Sequence, residues 1–343
     1  MGRIISKYGT VMMSGLLLIF SVLFVCRDSY AQSYPPPVQK AEALVSKQSL
    51  KETIAGLTSR SLLGRESGTE GCRQARDVVY EAFVDGNIPM KGQTYLWGFW
   101  YWKGNERALG VNVVGFIPAD PSVQSPKTLV IGANYDGMGV LGGRVYPGAD
   151  NNASGAAALI EVGKALSHMA SEGFTPRCNI CLVAFDARQL EYLGSSRFLS
   201  DAAVIKASEV SLMINLDQIG TTLAPPKEAQ TGELLPRNYL LFLGMDGVGE
   251  NIKEAFKQAN GADNPIVLDF TCYGNKHVHD MLYEMGDQVS FRDSGIPAIV
   301  ITSGVHKYTN KTADDIGIIN FNALTERCRL IFRAVCKIAG MTE

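Results

Sequence analysis

The sequence predicts an α/β fold built on a mostly parallel mixed sheet with helices on both faces. Short apolar runs that are typical of buried strands alternate with longer segments in which apolar residues recur every three or four positions. Two of the runs end directly at an acidic residue, Asp186 and Asp217. This alternation indicates strands that are covered by helices on both sides. The length of 343 residues allows one large domain of this kind or two smaller ones.

Residues 1–31 are predicted to be a signal peptide. Arg3 and Lys7 precede the apolar run Val11–Val25, and the sequence Ser-Tyr-Ala that ends at residue 31 resembles a signal peptidase site. The apolar run is short for a membrane-spanning helix, which needs ~20 residues. We therefore expect an exported protein, periplasmic or extracellular, that is not attached to a membrane after cleavage. An uncleaved anchor and lipidation at Cys26 are the alternatives.

The first elements of the mature chain are predicted from spacing and composition. A proline-containing linker is expected over residues 32–40, before a single domain over residues 41–343. Apolar residues three and four apart predict helices over residues 39–60 and about 72–83, separated by the loop SLLGRESGTEG. Aromatic residues partly alternate with others over residues 94–102, which favours a strand packed on one face over a substrate-binding aromatic patch.

Strands and helices alternate over the rest of the chain. Val111–Ile117 and Thr128–Ile131 are predicted to be adjacent strands. The later predicted strands cover residues 180–185, 212–216, 239–243 and 298–302. The predicted helices cover residues 152–169, 192–199, 250–259, 276–285 and 322–339. Residues 221–237, rich in Pro, Lys and Glu, are expected to form an inserted surface loop.

Charge and composition exclude one class of partner. The formal net charge is -2, and the chain has no run of five like charges. Nucleic-acid binding requires a clustered basic face, so no nucleic-acid partner is expected. The apolar fraction of 46% and the charged fraction of 19% are those of an ordinary globular protein.

Six cysteines would remain in the mature chain: Cys72, Cys178, Cys181, Cys272, Cys328 and Cys336. Export makes disulfides possible, but a domain of this size does not need them. Cys178 and Cys181 form a C-x-x-C motif without a second pair, which is a poor zinc site. Buried or bridged structural cysteines are the favoured interpretation, and their pairing stays open. Cys328 and Cys336 are about 12 Å apart on a predicted helix and cannot bridge to each other.

A glycine-rich loop between a strand and a helix is the predicted ligand-binding feature. The stretch that begins at Gly132 reads GANYDGMGVLGGRVYPGADNNASG and contains Asp136 and Asp150. It follows the apolar run Thr128–Ile131 and precedes a helical pattern. In α/β sheets, ligands bind at the carboxyl ends of strands, so we expect these acids to lie at the functional site.

Four further segments carry a recognisable pattern: LLGRESGTEGCRQARDVVYEAF, GVNVVGFIPAD, INLDQIG and SGIPAIVITSGVH. Together with the loop GADNNASG, they resemble the co-catalytic zinc aminopeptidase family, also known as metallopeptidase family twenty-eight. In order, they are similar to that family's amino-terminal signature, its first core strand, its Asn-Leu-Asp strand end and its closing strand. The family includes bacterial leucyl aminopeptidases, glutamate carboxypeptidase II and glutaminyl cyclases. The resemblance covers almost all of the mature chain and implies a zinc-exopeptidase-like fold.

The resemblance also implies which residues would serve a two-zinc site. Asp150 matches the bridging aspartate and Asp217 the strand-end aspartate, whereas Arg188 stands where the family has its general base. The other three ligand positions, a His, a Glu and a His in the family, are occupied here by Asn134, Gln189 and Thr309. His306 matches a histidine common in the family's closing loop and is not interpreted as a replacement ligand.

A two-zinc site is therefore not expected, and neither catalytic residues nor metal ligands are predicted. At an effective dielectric of about 20, a cation such as Arg188 placed about 5 Å from a dication costs on the order of 6 kcal/mol. Arg188 is instead predicted to pair with Asp150 and Asp217. The remnant cleft is expected to include Asp136, Arg188 and Asp287, the last of which resembles the aspartate of a Ser-Asp-His segment.

The predicted function is that of an exported peptidase-like protein without catalytic activity. Its cleft is expected to be retained for a peptide or protein ligand, and no cofactor is expected. The alternative is an active metallo-aminopeptidase or another hydrolase with an atypical or single-metal site, which would need zinc.

Overall fold

The computed structural model describes residues 34–225, 238–261 and 265–341. The predicted signal peptide, Cys26 and most of the predicted loop 221–237 lie outside these residues. The helices and strands given below belong to one unit, Tyr34–Asn260 together with Ile266–Glu343. In this described part of the chain, no helix combines the length and the apolar character needed to span a membrane.

Ten strands and nine α-helices are found within the described ranges. The strands are β1 Leu96–Lys103, β2 Glu106–Ile117, β3 Thr128–Asn134, β4 Val140–Leu141, β5 Arg144–Val145, β6 Asn179–Phe185, β7 Val210–Leu216, β8 Tyr239–Leu243, β9 Val267–Asp269 and β10 Ala298–Thr302. The helices are α1 Pro36–Glu42, α2 Lys47–Leu57, α3 Glu70–Asp85, α4 Gly155–Ser171, α5 Leu193–Ser200, α6 Glu250–Ala259, α7 Lys276–Tyr283, α8 Gln288–Asp293 and α9 Phe321–Ile338.

Eight of these strands form one mixed sheet in the order β1-β2-β6-β3-β7-β10-β8-β9. Four of its seven pairings are parallel and three are antiparallel. Helices α2, α3, α4 and α9 bury their apolar residues against one face. On the other face, Phe198 of α5 and Phe291 of α8 pack edge-on against Phe185 of β6, at ring-centroid distances of 5.8 and 6.2 Å. The predicted fold class is confirmed.

The predicted adjacency of Val111–Ile117 and Thr128–Ile131 is wrong. Strand β6 lies between the two, antiparallel to β2 and parallel to β3. Helix α4 connects β3 to β6, and such a connection places two parallel strands side by side. The loop between β2 and β3 must then cross the edge of β6, a distance of about 10 Å that residues 118–127 reach easily.

The predicted linker over residues 32–40 also differs from the structure, because helix α1 begins at Pro36. Proline is tolerated in the first turn of a helix, where its missing N–H would have no partner. Val38 and Ala41 of α1 are buried in the core. The single helix predicted over residues 39–60 is two helices, and the second begins after Ser46, whose side chain caps Ser49 N.

The six cysteines of the described chain are all unpaired. Cys72, Cys181, Cys272, Cys328 and Cys336 are buried, and burial raises the pKa of each thiol. They therefore contribute as small apolar side chains of the core.

Arg65 holds the glycine-rich loop against the rest of the fold. Its side chain is fully buried and donates to the carbonyl oxygens of Tyr135 at 2.9 Å, Leu57 at 2.6 Å, Pro147 at 2.5 Å and Gly148 at 3.0 Å. Burial lowers the pKa of the guanidinium to about 10, and the nearby Asp136 partly opposes this. One buried cation thus joins the end of α2 to both ends of the loop.

Replacement of Arg65 by Met is expected to destabilise the protein strongly. Four carbonyl oxygens would lose a charged donor, and such hydrogen bonds are worth about 1.5–3 kcal/mol each, so a loss of at least about 3 kcal/mol is expected. Urea unfolding of Arg65→Met and of the exposed control Arg60→Met measures the effect. Equal stability of the two variants would contradict this role for Arg65.

Candidate functional site

The candidate site lies where the parallel strands end. Asn134 is the last residue of β3, Asp186 follows β6, and Asp217 follows β7. The loop after β3 brings in Asp150, and the loop after β10 brings in His306. This arrangement follows from the topology, because the carboxyl ends of neighbouring parallel strands meet at one edge of the sheet.

Asp150 is buried, and protein groups bond both of its carboxylate oxygens. Oδ1 accepts hydrogen bonds from Ser154 Oγ at 3.0 Å and from the Gly220 backbone N–H at 2.7 Å. Oδ2 lies 3.0 Å from Nε2 of His306. The Nδ1 atom of His306 accepts from the backbone N–H of Tyr308 at 3.2 Å, so Nε2 carries a proton and donates to Asp150.

The backbone around Asp150 is held by Asp314, a residue that the sequence analysis did not single out. Its Oδ1 accepts from Asp150 N at 2.8 Å, and its Oδ2 accepts from Asn151 N at 3.1 Å. Burial raises the pKa of Asp314 to about 6, and the backbone N–H of Asp150 opposes the rise. The only hint in the sequence is the density of polar residues in GVHKYTNKTADD, which does not reveal that two of them turn inward.

Arg188 forms a largely buried ion pair with Asp217, in which each side chain keeps one buried polar atom unpaired within the described chain. Its Nη2 lies 2.7 Å from Asp217 Oδ2, and the two side chains are 11% and 8% exposed. The Nε atom of Arg188 and Oδ1 of Asp217 are buried without a hydrogen-bond partner among the described residues. No ion pair within 4.0 Å joins Arg188 to Asp150, whose oxygens bond elsewhere. The predicted pairing of Arg188 is therefore right for Asp217 and wrong for Asp150.

The pKa values of this pair reflect both burial and neighbouring charges. Burial raises the pKa of Asp217, and the charge of Arg188 opposes that rise. For Arg188, burial lowers the pKa, but the carboxylates of Asp217, Asp287 and Asp136 outweigh it, so the net shift is upward. The guanidinium is thus held in its charged form.

Asn134 and Asp136 form a hydrogen-bonded unit at the end of β3. Asn134 Nδ2 donates to Asp136 Oδ1 at 3.1 Å, and Asn134 Oδ1 accepts from Asn152 Nδ2 at 3.0 Å. Asp136 is fully buried. Burial and the nearby Asp186 raise its pKa to about 7, although Asn134 opposes the rise.

The other predicted positions lie apart from one another. Gln189 is exposed and contributes only its backbone N–H, 3.5 Å from Asp136 Oδ2. Thr309 Oγ1 donates to Gln218 Oε1 at 3.0 Å. Asp287 is fully buried, and neither of its carboxylate oxygens has a hydrogen-bond partner in the described chain. Burial raises the pKa of Asp287 to about 7, while the charge of Arg188 opposes the rise.

Arg188, Asp217 and Thr309 line a small cavity, which we call the remnant cleft. Its volume is about 80 Å³, and its other wall is apolar, formed by Leu243, Leu282, Met285, Val300 and Val305. Of the residues predicted to lie in the cleft, Arg188 lines it, whereas Asp136 and Asp287 do not, because both are fully buried. Among the described residues, no three His, Cys, Asp or Glu side chains are grouped so that they could hold a metal ion.

Comparisons with known proteins agree on one family. The profile of Peptidase family M28 matches residues 112–335. Over 125 residues the chain is 29% identical to Aminopeptidase YwaD of Bacillus subtilis (strain 168). The aligned region covers 36% of this chain and 25% of that protein. The chain spans between 20% and 61% of the length of the curated relatives it matches.

Solved structures show the same fold. An aminopeptidase from Aneurinibacillus sp. strain AM-1 has a TM-score of 0.62 at 13% identity, covering 88% of this chain and 96% of that one. The glutaminyl cyclase of Porphyromonas gingivalis has a TM-score of 0.59 at 16% identity, covering 84% of this chain and 97% of that one. At these identities the likeness concerns the fold alone.

The ion pair is tested by a double-mutant cycle. Arg188→Met leaves the Asp217 carboxylate buried without its partner, so it is expected to cost about 3–5 kcal/mol in the free energy of unfolding. Arg188→Met combined with Asp217→Leu removes both charges and is expected to recover most of that loss. Denaturant unfolding measures both, with the exposed Arg197→Met as control. Strictly additive effects would contradict the coupling.

Asp287 is expected to make stability depend on pH. Its folded-state pKa of about 7 lies above the ordinary value of 3.8, so the folded protein binds this proton more tightly than the unfolded chain. The stabilising contribution is complete below about pH 4 and is lost as the pH rises through 7.

Asp287→Asn should therefore reduce the difference in unfolding free energy between pH 5 and pH 8 by on the order of 2 kcal/mol. Urea unfolding at the two pH values measures it, beside the exposed control Asp85→Asn. A difference as large as that of the unaltered protein would show that Asp287 does not titrate in this range.

Proposed function

The chain belongs to peptidase family M28, and on that premise we propose that it is an exported member without catalytic activity whose cleft binds a peptide or protein ligand. The observation that carries the proposal is the ion pair between Arg188 and Asp217. By the resemblance, Arg188 stands at the general-base position and Asp217 at a ligand position. A general base must accept a proton near neutral pH, and a guanidinium held in its charged form does not do so.

The donor set does not fit a pair of zinc ions. Zinc in proteins takes Cys, His, Asp or Glu ligands. Both carboxylate oxygens of Asp150 are bonded to Ser154, Gly220 and His306, and one oxygen of Asp217 is bonded to Arg188. At the three replaced ligand positions, Asn134, Gln189 and Thr309 are neutral, and Gln189 is exposed to solvent. We therefore propose that the protein functions without zinc, unlike the zinc-dependent members of its family.

The remnant cleft retains features that suit a peptide group. Arg188 Nε is a buried donor without a partner, and Asp217 Oδ1 and Asn151 Oδ1 are buried acceptors without one among the described residues. All three residues line the cleft, together with its apolar residues. A ligand that supplies one carbonyl and two N–H groups beside an apolar side chain would satisfy these groups. The volume of about 80 Å³ admits one small side chain or chain end.

The proposal predicts neither stoichiometric zinc nor peptidase turnover. The purified mature protein should contain far less than one zinc per chain by elemental analysis, and it should not hydrolyse leucyl-p-nitroanilide with or without added zinc. The positive control combines Asn134→His, Arg188→Glu, Gln189→Glu and Thr309→His, which restores the family's ligands and base and should raise zinc affinity.

Two results would overturn the proposal: stoichiometric zinc in the unaltered protein, or turnover that Asp150→Asn abolishes. Either would favour an active metallo-aminopeptidase or another hydrolase with an atypical or single-metal site. If the fourfold variant is folded, as circular dichroism can show, but does not bind zinc, the assignment of ligand positions is wrong.

A further inference from the structure

A larger cavity, which we call the outer cavity, lies between α3 and the hairpin of β1 and β2. Its volume is about 550 Å³, against about 80 Å³ for the remnant cleft, and the two have no lining residue in common. Sites for small molecules commonly have volumes of about 300–1,000 Å³. The outer cavity therefore has the size of a ligand site, and it is separate from the remnant cleft.

The polar groups at the floor of the outer cavity are hydrogen-bonded to one another. The Tyr135 hydroxyl donates to Val111 O at 2.7 Å, and Asp186 accepts from Val111 N at 3.0 Å and from the Cys72 thiol at 3.4 Å. Burial raises the pKa of the Cys72 thiol well above its usual range, so the thiol is not a nucleophile. These groups satisfy one another, which indicates a binding surface and not a catalytic one.

The rim carries many charged groups, but they neutralise one another. Ion pairs hold three of its four basic residues: Arg73–Glu70, Arg76–Asp77 and Lys103–Glu66. Asp77 and Glu66 are not lining residues themselves, but they neutralise residues that are. The two remaining charged residues of the rim, Glu106 and Arg107, have opposite signs. No excess of positive charge is present to hold an anion. The rim is instead a dense array of hydrogen-bond donors and acceptors.

Exposed aromatic residues continue the wall of the outer cavity. Trp100 and Trp102 are 55% and 70% exposed and, two positions apart on β1, point to the same face of the sheet. Their cross-strand partners are Leu109 and Arg107, and both of these line the outer cavity. The Arg107 guanidinium lies 4.8 Å from the centre of the Trp100 ring. Trp100 and Trp102 form the surface that we call the tryptophan platform.

We propose that the outer cavity and the tryptophan platform bind a neutral oligosaccharide. The apolar faces of sugar rings would stack on Trp100 and Trp102, whose large rings lose little conformational entropy on binding. Sugar hydroxyls both donate and accept, so they match a rim of paired guanidinium and carboxylate groups. The polar rim does not suit a lipid chain, and its balanced charge does not suit an acidic ligand.

Titration with maltohexaose, cellohexaose and chitohexaose tests this proposal. The three tryptophans of the chain, at positions 97, 100 and 102, all lie in β1, so intrinsic fluorescence reports directly on the platform. At least one hexasaccharide should shift the emission and give a binding isotherm by calorimetry. Trp102→Ala and Trp100→Ala should each weaken that binding about tenfold. Trp97→Phe, on the opposite face of β1, should change it less than twofold.

Three results would overturn the proposal. In the first, none of the hexasaccharides binds at millimolar concentration. In the second, the Trp100→Ala and Trp102→Ala variants bind a hexasaccharide as tightly as the unaltered protein does. In the third, only an acidic oligogalacturonate binds and added salt abolishes the binding, which would identify an anion site. Near-ultraviolet circular dichroism of each variant verifies that the fold is intact.

Discussion

The hydrogen bonds to the Asp150 carboxylate are the constraint on which the functional edge of this protein depends. A buried carboxylate is costly unless its oxygens are bonded, so the groups that bond it are held in place. Ser154 comes from the loop after β3, Gly220 from the chain after β7, and His306 from the loop after β10. One side chain thus gathers the carboxyl ends of three strands. The buried cations Arg65 and Arg327 hold the flanking segments through backbone carbonyl oxygens.

The carboxylate of Asp217, at the same edge, is only partly hydrogen-bonded. Asp150 is saturated by protein groups, whereas Asp217 retains a free oxygen and Arg188 a free N–H within the described structure. The saturated group maintains the loops, and the unsaturated pair lines the remnant cleft. This difference separates the structural role of Asp150 from the ligand contacts that we propose for Arg188 and Asp217, although the resemblance assigns both acids to ligand positions of the family.

Much of the fold could be predicted from the sequence, and the errors have physical causes. Apolar periodicity predicts the strands and long helices because the side of each element that faces the core must be apolar. The acids at the strand ends indicate which edge of the sheet carries the candidate site. The order of the strands in the sheet cannot be predicted from apolar periodicity, because it depends on pairing between distant parts of the chain. The position of β6 between β2 and β3 is an example. At the site, charge complementarity predicts the pairing of Arg188 with Asp217. It does not predict the partner of Asp150, since His306 is one of many polar residues in its loop.

Part of the buried negative charge at this edge is compensated without a metal ion. Arg188 neutralises Asp217 directly, whereas Asp136 and Asp287 are among the buried acids of the described chain that have no ion pair. Burial raises the pKa of both to about 7, so near neutral pH each binds a proton for part of the time. Partial protonation of these acids and the Arg188 guanidinium thus offset some of the negative charge at this edge. Because protons leave as the pH rises, the charge balance of this edge is sensitive to mildly alkaline conditions.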